Sequence, residues 1–205
     1  MLELLNHNCR RCQLSNYAKT VCLQGLGNTD TAQLAIFLDA PMFDDDMRGR
    51  PLQSEPGRFL LNMLARMSLT TEQVYIDYTV KCWSGKKMPS QKAERLQCIE
   101  ACSYYRFATL QNMPQLRKIL VMGRLSLEAL NGASEIGKFE GESWTPREPE
   151  LKVYGEAWVT FSPAYLTEKK AEIPNVYRVI WKAAEEAGLT PRTNLEAPHF
   201  AWEDI

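Results

Sequence analysis

No stretch of this chain stays apolar for the ~18 residues that a membrane-crossing helix needs. The opening MLELLNHNCRRC is too short and too polar for a secretory signal. Both absences point to an intracellular protein, in a compartment where thiols stay reduced. A dominant charge is missing as well: 24 Lys and Arg stand against 25 Asp and Glu, a net charge of −1. Any nucleic-acid contact must therefore come from a local basic patch. There is no internal repeat and no low-complexity segment, which excludes a repeat array. What is present is ordinary for a globular α/β domain: 205 residues, 45% hydrophobic and 24% charged, enough to bury a substantial core. Six cysteines in a reducing compartment suggest metal binding more than disulfides.

Read for periodicity, the chain alternates strands and helices. Leu34 to Leu38 is an apolar strand that breaks at Ala40-Pro41, followed by a polar, acidic loop with Gly49 and Pro51. Pro56-Gly57 opens a helix whose Phe59, Leu60, Met63, Leu64 and Met67 recur at helical spacing. A second strand runs from Gln73 to Cys82, rich in β-branched and aromatic residues. A basic loop from Trp83 to Ser90 follows, and Ser90 is the expected N-cap of one long helix reaching about Gln111. Arg117 to Gly123 is a third, buried strand, Leu125 to Leu130 a short helix, and 131–150 a polar loop. Trp158 to Ser162 is a fourth strand, and a last amphipathic helix covers about Pro174 to Ala187. The pattern predicts a three-layer αβα fold around a central, mainly parallel four-stranded sheet. One domain is expected over 1–188, with a tail over 189–205. A loop that leaves a strand's carboxyl end and feeds a helix is where such sheets bind ligands and phosphates.

Cys9-Arg-Arg-Cys12 alone fits a zinc knuckle, a redox pair or half an iron–sulfur site. Cys82 and Cys98 sit where a packed strand–helix unit brings them beside that pair. Cys102 lies one helical turn beyond Cys98 and reads as core, and Cys22 has no assigned part. Spacing leaves zinc and iron–sulfur open. Basic residues gather around the same segment (Lys81, Lys86, Lys87, Lys92, Arg95) and near the first loop (Arg48, Arg50, Arg58). They flank loops at strand ends, where a phosphate backbone fits.

The stretch Leu38-Asp39-Ala40-Pro41-Met42, Asp44 to Asp46, Gly49-Arg50-Pro51-Leu52 and Gly57 resembles the first motif of uracil-DNA glycosylases, in the iron–sulfur family usually numbered four. That motif reads Gly-Glu-x-Pro-Gly, acidic residues, Gly-x-Pro-Phe and a Gly-led helix. Lys81-Cys82, Glu94 and Cys98 resemble the family's cluster segment, and Ser162-Pro163-Ala164 its second motif, His-Pro-Ser/Ala. The resemblance spans residues 9–187. It implies a [4Fe-4S] cluster on Cys9, Cys12, Cys82 and Cys98, with zinc as the alternative. It also implies that the loop of Pro163 and Ala164 approaches DNA, and the position of Arg48, Arg50, Lys86 and Lys87 beside loops at strand ends adds phosphate contact.

The likeness also locates the departures. Leu52 stands where the family has the Phe that stacks on the flipped base. Tyr78 stands for the Asn that reads the uracil edge, and Ser162 for the His that stabilises developing charge. Asp39 keeps the first-motif carboxylate one methylene shorter, and the only histidines, His7 and His199, lie at no motif position. The expected base pocket is Ala40, Pro41, Leu52 and Tyr78, and the expected catalytic residues are Asp39 and Ser162. The leading expectation is a DNA-binding protein of replication, repair or DNA modification without efficient uracil excision. The alternatives are an active glycosylase for uracil or a modified base, and a zinc-bound nucleotide-binding protein. The tail His199 to Ile205 reads either as a peptide for a protein partner or as a segment packed by Phe200 and Trp202.

Overall fold

Strand β1 (Leu34–Leu38) is buried along its whole length, and the two-residue alternation of a strand sorts its side chains onto two cores. Leu34, Ile36 and Leu38 pack with Phe59, Leu60, Met63 and Leu64 of α2 (Glu55–Arg66) and with Val176, Val179 and Ile180 of α7 (Ile173–Glu186). Ala35 and Phe37 pack on the other face with Leu110 of α4 (Ser103–Gln111) and with Leu127 and Leu130 of α5 (Arg124–Asn131). The expected three layers are those of this computed structural model, which describes residues 8–85, 88–146 and 149–193.

Strands β2 (Val74–Tyr78), β3 (Lys118–Met122) and β5 (Ala157–Thr160) join β1 in a parallel arrangement. A fifth strand, β4 (Ser143–Trp144), pairs antiparallel with β5 at the sheet edge, giving the order β2-β1-β3-β5-β4. The sequence pattern predicts four strands and a polar loop over 131–150, so this strand is an addition to it. Two residues are too few to show a period, and only their pairing with Trp158 and Ala157 makes them a strand. Because β2 lies on one side of β1 and β3 on the other, the chain reverses at the β1/β3 boundary. The carboxyl ends of those two strands open the crevice where such sheets take ligands.

Other boundaries moved. The acidic loop holds a short helix, α1 (Phe43–Arg48), ended by Gly49 at φ 64°. The long helix expected over 90–111 is two: α3 (Lys92–Ala101), entered at Gln91 and not Ser90, and α4. The break falls at Cys102, whose N–H turns back to the Ile99 carbonyl at 3.2 Å, while the Ser103 hydroxyl donates to the Glu100 carbonyl at 2.7 Å. Strand β2 ends at Tyr78, four residues before Cys82, although Thr79 and Val80 still donate to the carbonyls of Leu38 and Asp39 at 2.7 and 3.0 Å. The Pro163 segment forms a short helix, α6 (Pro163–Glu168).

Candidate base pocket and cysteine cluster

A cleft of about 360 Å³ opens at the carboxyl end of β1. It is lined by Asp39, Ala40 and Pro41 from the β1 loop, Leu52 from the turn before α2, Tyr78 from β2, and Ser162, Pro163 and Ala164 at the start of α6. Residues named from motifs up to about 120 positions apart thus share one wall. Met42, Asp45, Ser54, Trp83 and Ser84 also line it.

Asp45 organises the loop that frames the cleft. Its carboxylate is buried and accepts from four donors: the N–H groups of Met42 (2.9 Å), Gln53 (2.6 Å) and Ser54 (3.0 Å), and the Tyr78 hydroxyl (3.0 Å). The Tyr78 hydroxyl in turn accepts the Leu52 N–H at 3.1 Å. Burial first, and the Asp45 carboxylate second, raise the Tyr78 phenol far above its ordinary range, so it stays a neutral donor. Leu52 is held at φ 57°, a left-handed conformation unusual for a leucine. Its backbone presses against Gly57, where a Cβ would lie 2.6 Å from the Leu52 Cα, so a side chain at 57 would push the turn off α2. The neighbouring Asp46 faces inward too, accepting from the N–H groups of Lys19 (3.0 Å) and Thr20 (2.8 Å). Two of the three consecutive acids are therefore staples between backbone segments.

Both residues expected to be catalytic are engaged with helix starts. Asp39 Oδ1 accepts the N–H (3.0 Å) and hydroxyl (3.2 Å) of Ser126 in the first turn of α5. Gly123, at φ 116°, leaves room for that carboxylate, since a Cβ there would lie 2.4 Å from Oδ1. Burial pushes the Asp39 carboxyl up to about 6, against the lowering effect of the Ser126, Leu125 and Arg124 donors. Ser126 is itself buried and accepts from the Thr79 hydroxyl at 2.9 Å. The Ser162 oxygen accepts the Tyr165 N–H at 3.3 Å as the N-cap of α6, leaving its one proton to offer the cleft. Sequence reasoning missed Ser126 and the central part of Asp45. Nothing marks Ser126 in the sequence, whereas Asp45 was visible among the motif acids but not its four donors.

The basic residues divide. Arg48, Arg50 and Arg58 are exposed, and Arg50 lines a separate groove of about 480 Å³ with Thr20, Leu23 and Gln53. Lys81 and Arg95 were grouped with the phosphate-facing cluster, but both are buried in internal ion pairs. Lys81 pairs with Asp77, four residues back on the chain in β2. The Arg95 guanidinium meets Glu128 of α5 through two bonds, 2.7 and 3.0 Å. A charge run read as a surface was in part a set of internal struts. Lys86 and Lys87, and the tail from residue 194, lie outside the described residues.

Six cysteines (Cys9, Cys12, Cys22, Cys82, Cys98 and Cys102) gather in one apolar cluster with Leu14, Val80, Ile99 and Tyr105, and none forms a disulfide. The sequence assigned no part to Cys22, and its N–H donates to Cys82 Sγ at 3.4 Å. Burial pushes the Cys82 thiol up to about 12; Cys98 rises to the same value through burial and then its neighbour Cys12. Such thiols are protonated unless a cation takes the proton's place. The donor set suits a thiophilic metal or an iron–sulfur cluster, yet among the described residues no three His, Cys, Asp or Glu side chains are grouped as a metal site.

Comparison with known proteins agrees with the fold. The profile of the Uracil DNA glycosylase superfamily matches residues 24–185. The chain is similar to the type-4 uracil-DNA glycosylase of Archaeoglobus fulgidus, 26% identical over 179 residues that cover 82% of this chain and 86% of that protein. It is similar to the type-4 uracil-DNA glycosylase of Pyrobaculum aerophilum, 27% identical over 175 residues, 83% of this chain and 85% of that protein. The type-4 enzyme of Sulfurisphaera tokodaii is 26% identical over 197 residues, 90% of this chain and 82% of that protein.

Proposed function

Because this chain belongs to the uracil DNA glycosylase superfamily, we propose that it binds DNA at the β1 cleft and that its remodelled pocket leaves it without efficient uracil excision. The observation that carries this reading is the Tyr78 hydroxyl, fixed between Asp45 and the Leu52 N–H. A glycosylase extrudes the base, reads its Watson–Crick edge and stabilises charge as the glycosidic bond breaks. A phenol ring spent on Asp45 offers the uracil edge no donor–acceptor pair, and Leu52 offers no aromatic face. Ser162 is shorter than an imidazole and already caps α6.

In this reading Cys9, Cys12, Cys82 and Cys98 hold a [4Fe-4S] cluster, with zinc as the alternative. The cluster ties the N-terminal segment to the chain after β2 and to α3. The exposed Arg48 and Arg50, with Lys86, Lys87, Pro163 and Ala164, meet the DNA backbone. The tail from His199 to Ile205 is a candidate for a protein partner.

One observation favours a second reading, an active glycosylase for a modified base. The Asp39 carboxyl, raised to about 6 in the cleft, is a fit general base near neutral pH. A panel of oligonucleotides carrying uracil or modified bases, scored for binding and for abasic-site formation, separates the two. Binding without release on the uracil strand supports the first reading. Uracil release at ordinary glycosylase rates overturns it, and release confined to a modified base establishes the second.

A further inference from the structure

Helix α1 borders the cleft and shows solvent a face that its internal contacts do not explain. Phe43 is 54% exposed, Met47, one turn on along the same face, is 43% exposed, and Met42 at the cleft wall is 40% exposed. The Phe43 ring meets the half-buried Trp83 edge to face, with centroids 5.4 Å apart, and Trp83 also lines the cleft. The Trp83 ring has its own support: a Cβ on Gly85 would lie 2.8 Å from it. Two neighbouring acids do not compete for this face, because Asp45 and Asp46 point inward to backbone donors. The next exposed side chains along the chain are Arg48 and Arg50.

A rigid aromatic pair beside soft methionines, flanked by arginines and continuous with the cleft, matches a base face next to a phosphate. In a duplex the base faces are stacked on one another, so only unpaired bases can use such a surface. Resting on the reading that the cleft binds DNA, we propose that Phe43 and Trp83 form a stacking platform for an unpaired base of single-stranded DNA at the cleft mouth. The platform gives the protein a preference for single strands, independent of whether it cleaves a glycosidic bond.

The test measures binding of the full chain to a labelled oligothymidine and to a duplex of equal length, over a range of salt concentrations. Phe43→Ala should weaken oligothymidine binding by about tenfold, as loss of one base stack does. Duplex affinity should change by less than about twofold, and the slope of log affinity against log salt should stay as in the parent, since no phosphate contact is lost. Phe43→Tyr should restore the single-strand affinity. Phe43 is largely exposed, so its truncation leaves the core intact, and an unchanged melting transition checks this. Unchanged oligothymidine affinity, an equal loss on both DNAs, or a salt slope lower by about one unit would each overturn the platform. Self-association of the parent that Phe43→Ala abolishes, with DNA binding intact, would assign the face to a second copy and overturn it too. If the parent binds neither DNA, the proposed function itself fails and the platform with it.

Discussion

Tyr78 carries three jobs: wall of the cleft, donor to Asp45, and acceptor for the Leu52 N–H. Replacing it by Phe keeps the packing and orphans a buried N–H and one carboxylate contact. Tyr78→Phe should cost about 1–3 kcal/mol in denaturant unfolding, with the slope against denaturant unchanged. An unaltered midpoint would mean that the Asp45 hub holds without it. Asp39 makes a prediction of opposite sign to most acids. Its folded carboxyl sits at about 6 against an ordinary 3.8, so the folded state binds the proton more tightly than the unfolded chain. The stability linked to that proton is fully present below about pH 4 and is lost as pH rises through about 6, by up to about 3 kcal/mol. The stability of the parent relative to Asp39→Asn should therefore rise as pH falls from 7 to 4. A flat difference across that window would show that burial does not burden the carboxylate. The motif letters exposed Asp39, Leu52, Tyr78 and Ser162 as departures, because a departure is visible in a string. What each does instead was not visible, since Ser126 and the donors of Asp45 are brought close only by folding.

Elements were legible where their period runs over several turns or where both faces of a strand are apolar. The α2 stripe from Phe59 to Met67, the runs of β1 and β3, and the α7 helix were read close to their observed places, whereas the apolar run of β2 carries on past the strand's end at Tyr78. The split between α3 and α4 was not, because Cys102 and Ser103 break a helix by local hydrogen bonds that leave the apolar spacing intact. The sign of a charge also hides its partner: Arg95 was read as surface until α5 brought Glu128 against it. That pair joins α3 to α5, with both side chains almost wholly buried. Glu128→Gln should leave a buried guanidinium without its counter-charge and cost about 3 kcal/mol, read by thermal or denaturant unfolding. A loss below about 0.5 kcal/mol would place the pair in effect at the surface.

At the scale of the molecule, the cleft opens at the carboxyl end of β1, between the Tyr78 end of β2 and the start of α6, and the thiols of the N-terminal segment, the chain after β2 and α3 meet in a second, apolar compartment. If that compartment holds the [4Fe-4S] cluster on Cys9, Cys12, Cys82 and Cys98, anaerobically purified protein should contain iron and sulfide and absorb in the visible range. Cys98→Ala should lose both and unfold more readily, whereas Cys22→Ala should keep them. Zinc without sulfide would contradict the assignment. That the cleft is remodelled against uracil is a claim that single-turnover release of uracil from single-stranded DNA can check. The parent protein should release uracil at least about a hundredfold more slowly than its Tyr78→Asn, Leu52→Phe, Ser162→His triple variant, the scale of one lost charge-stabilising donor. Ser162→His alone should gain little, because the base still cannot seat against Tyr78. Rapid uracil release by the parent, undiminished relative to the triple variant, would contradict the claim.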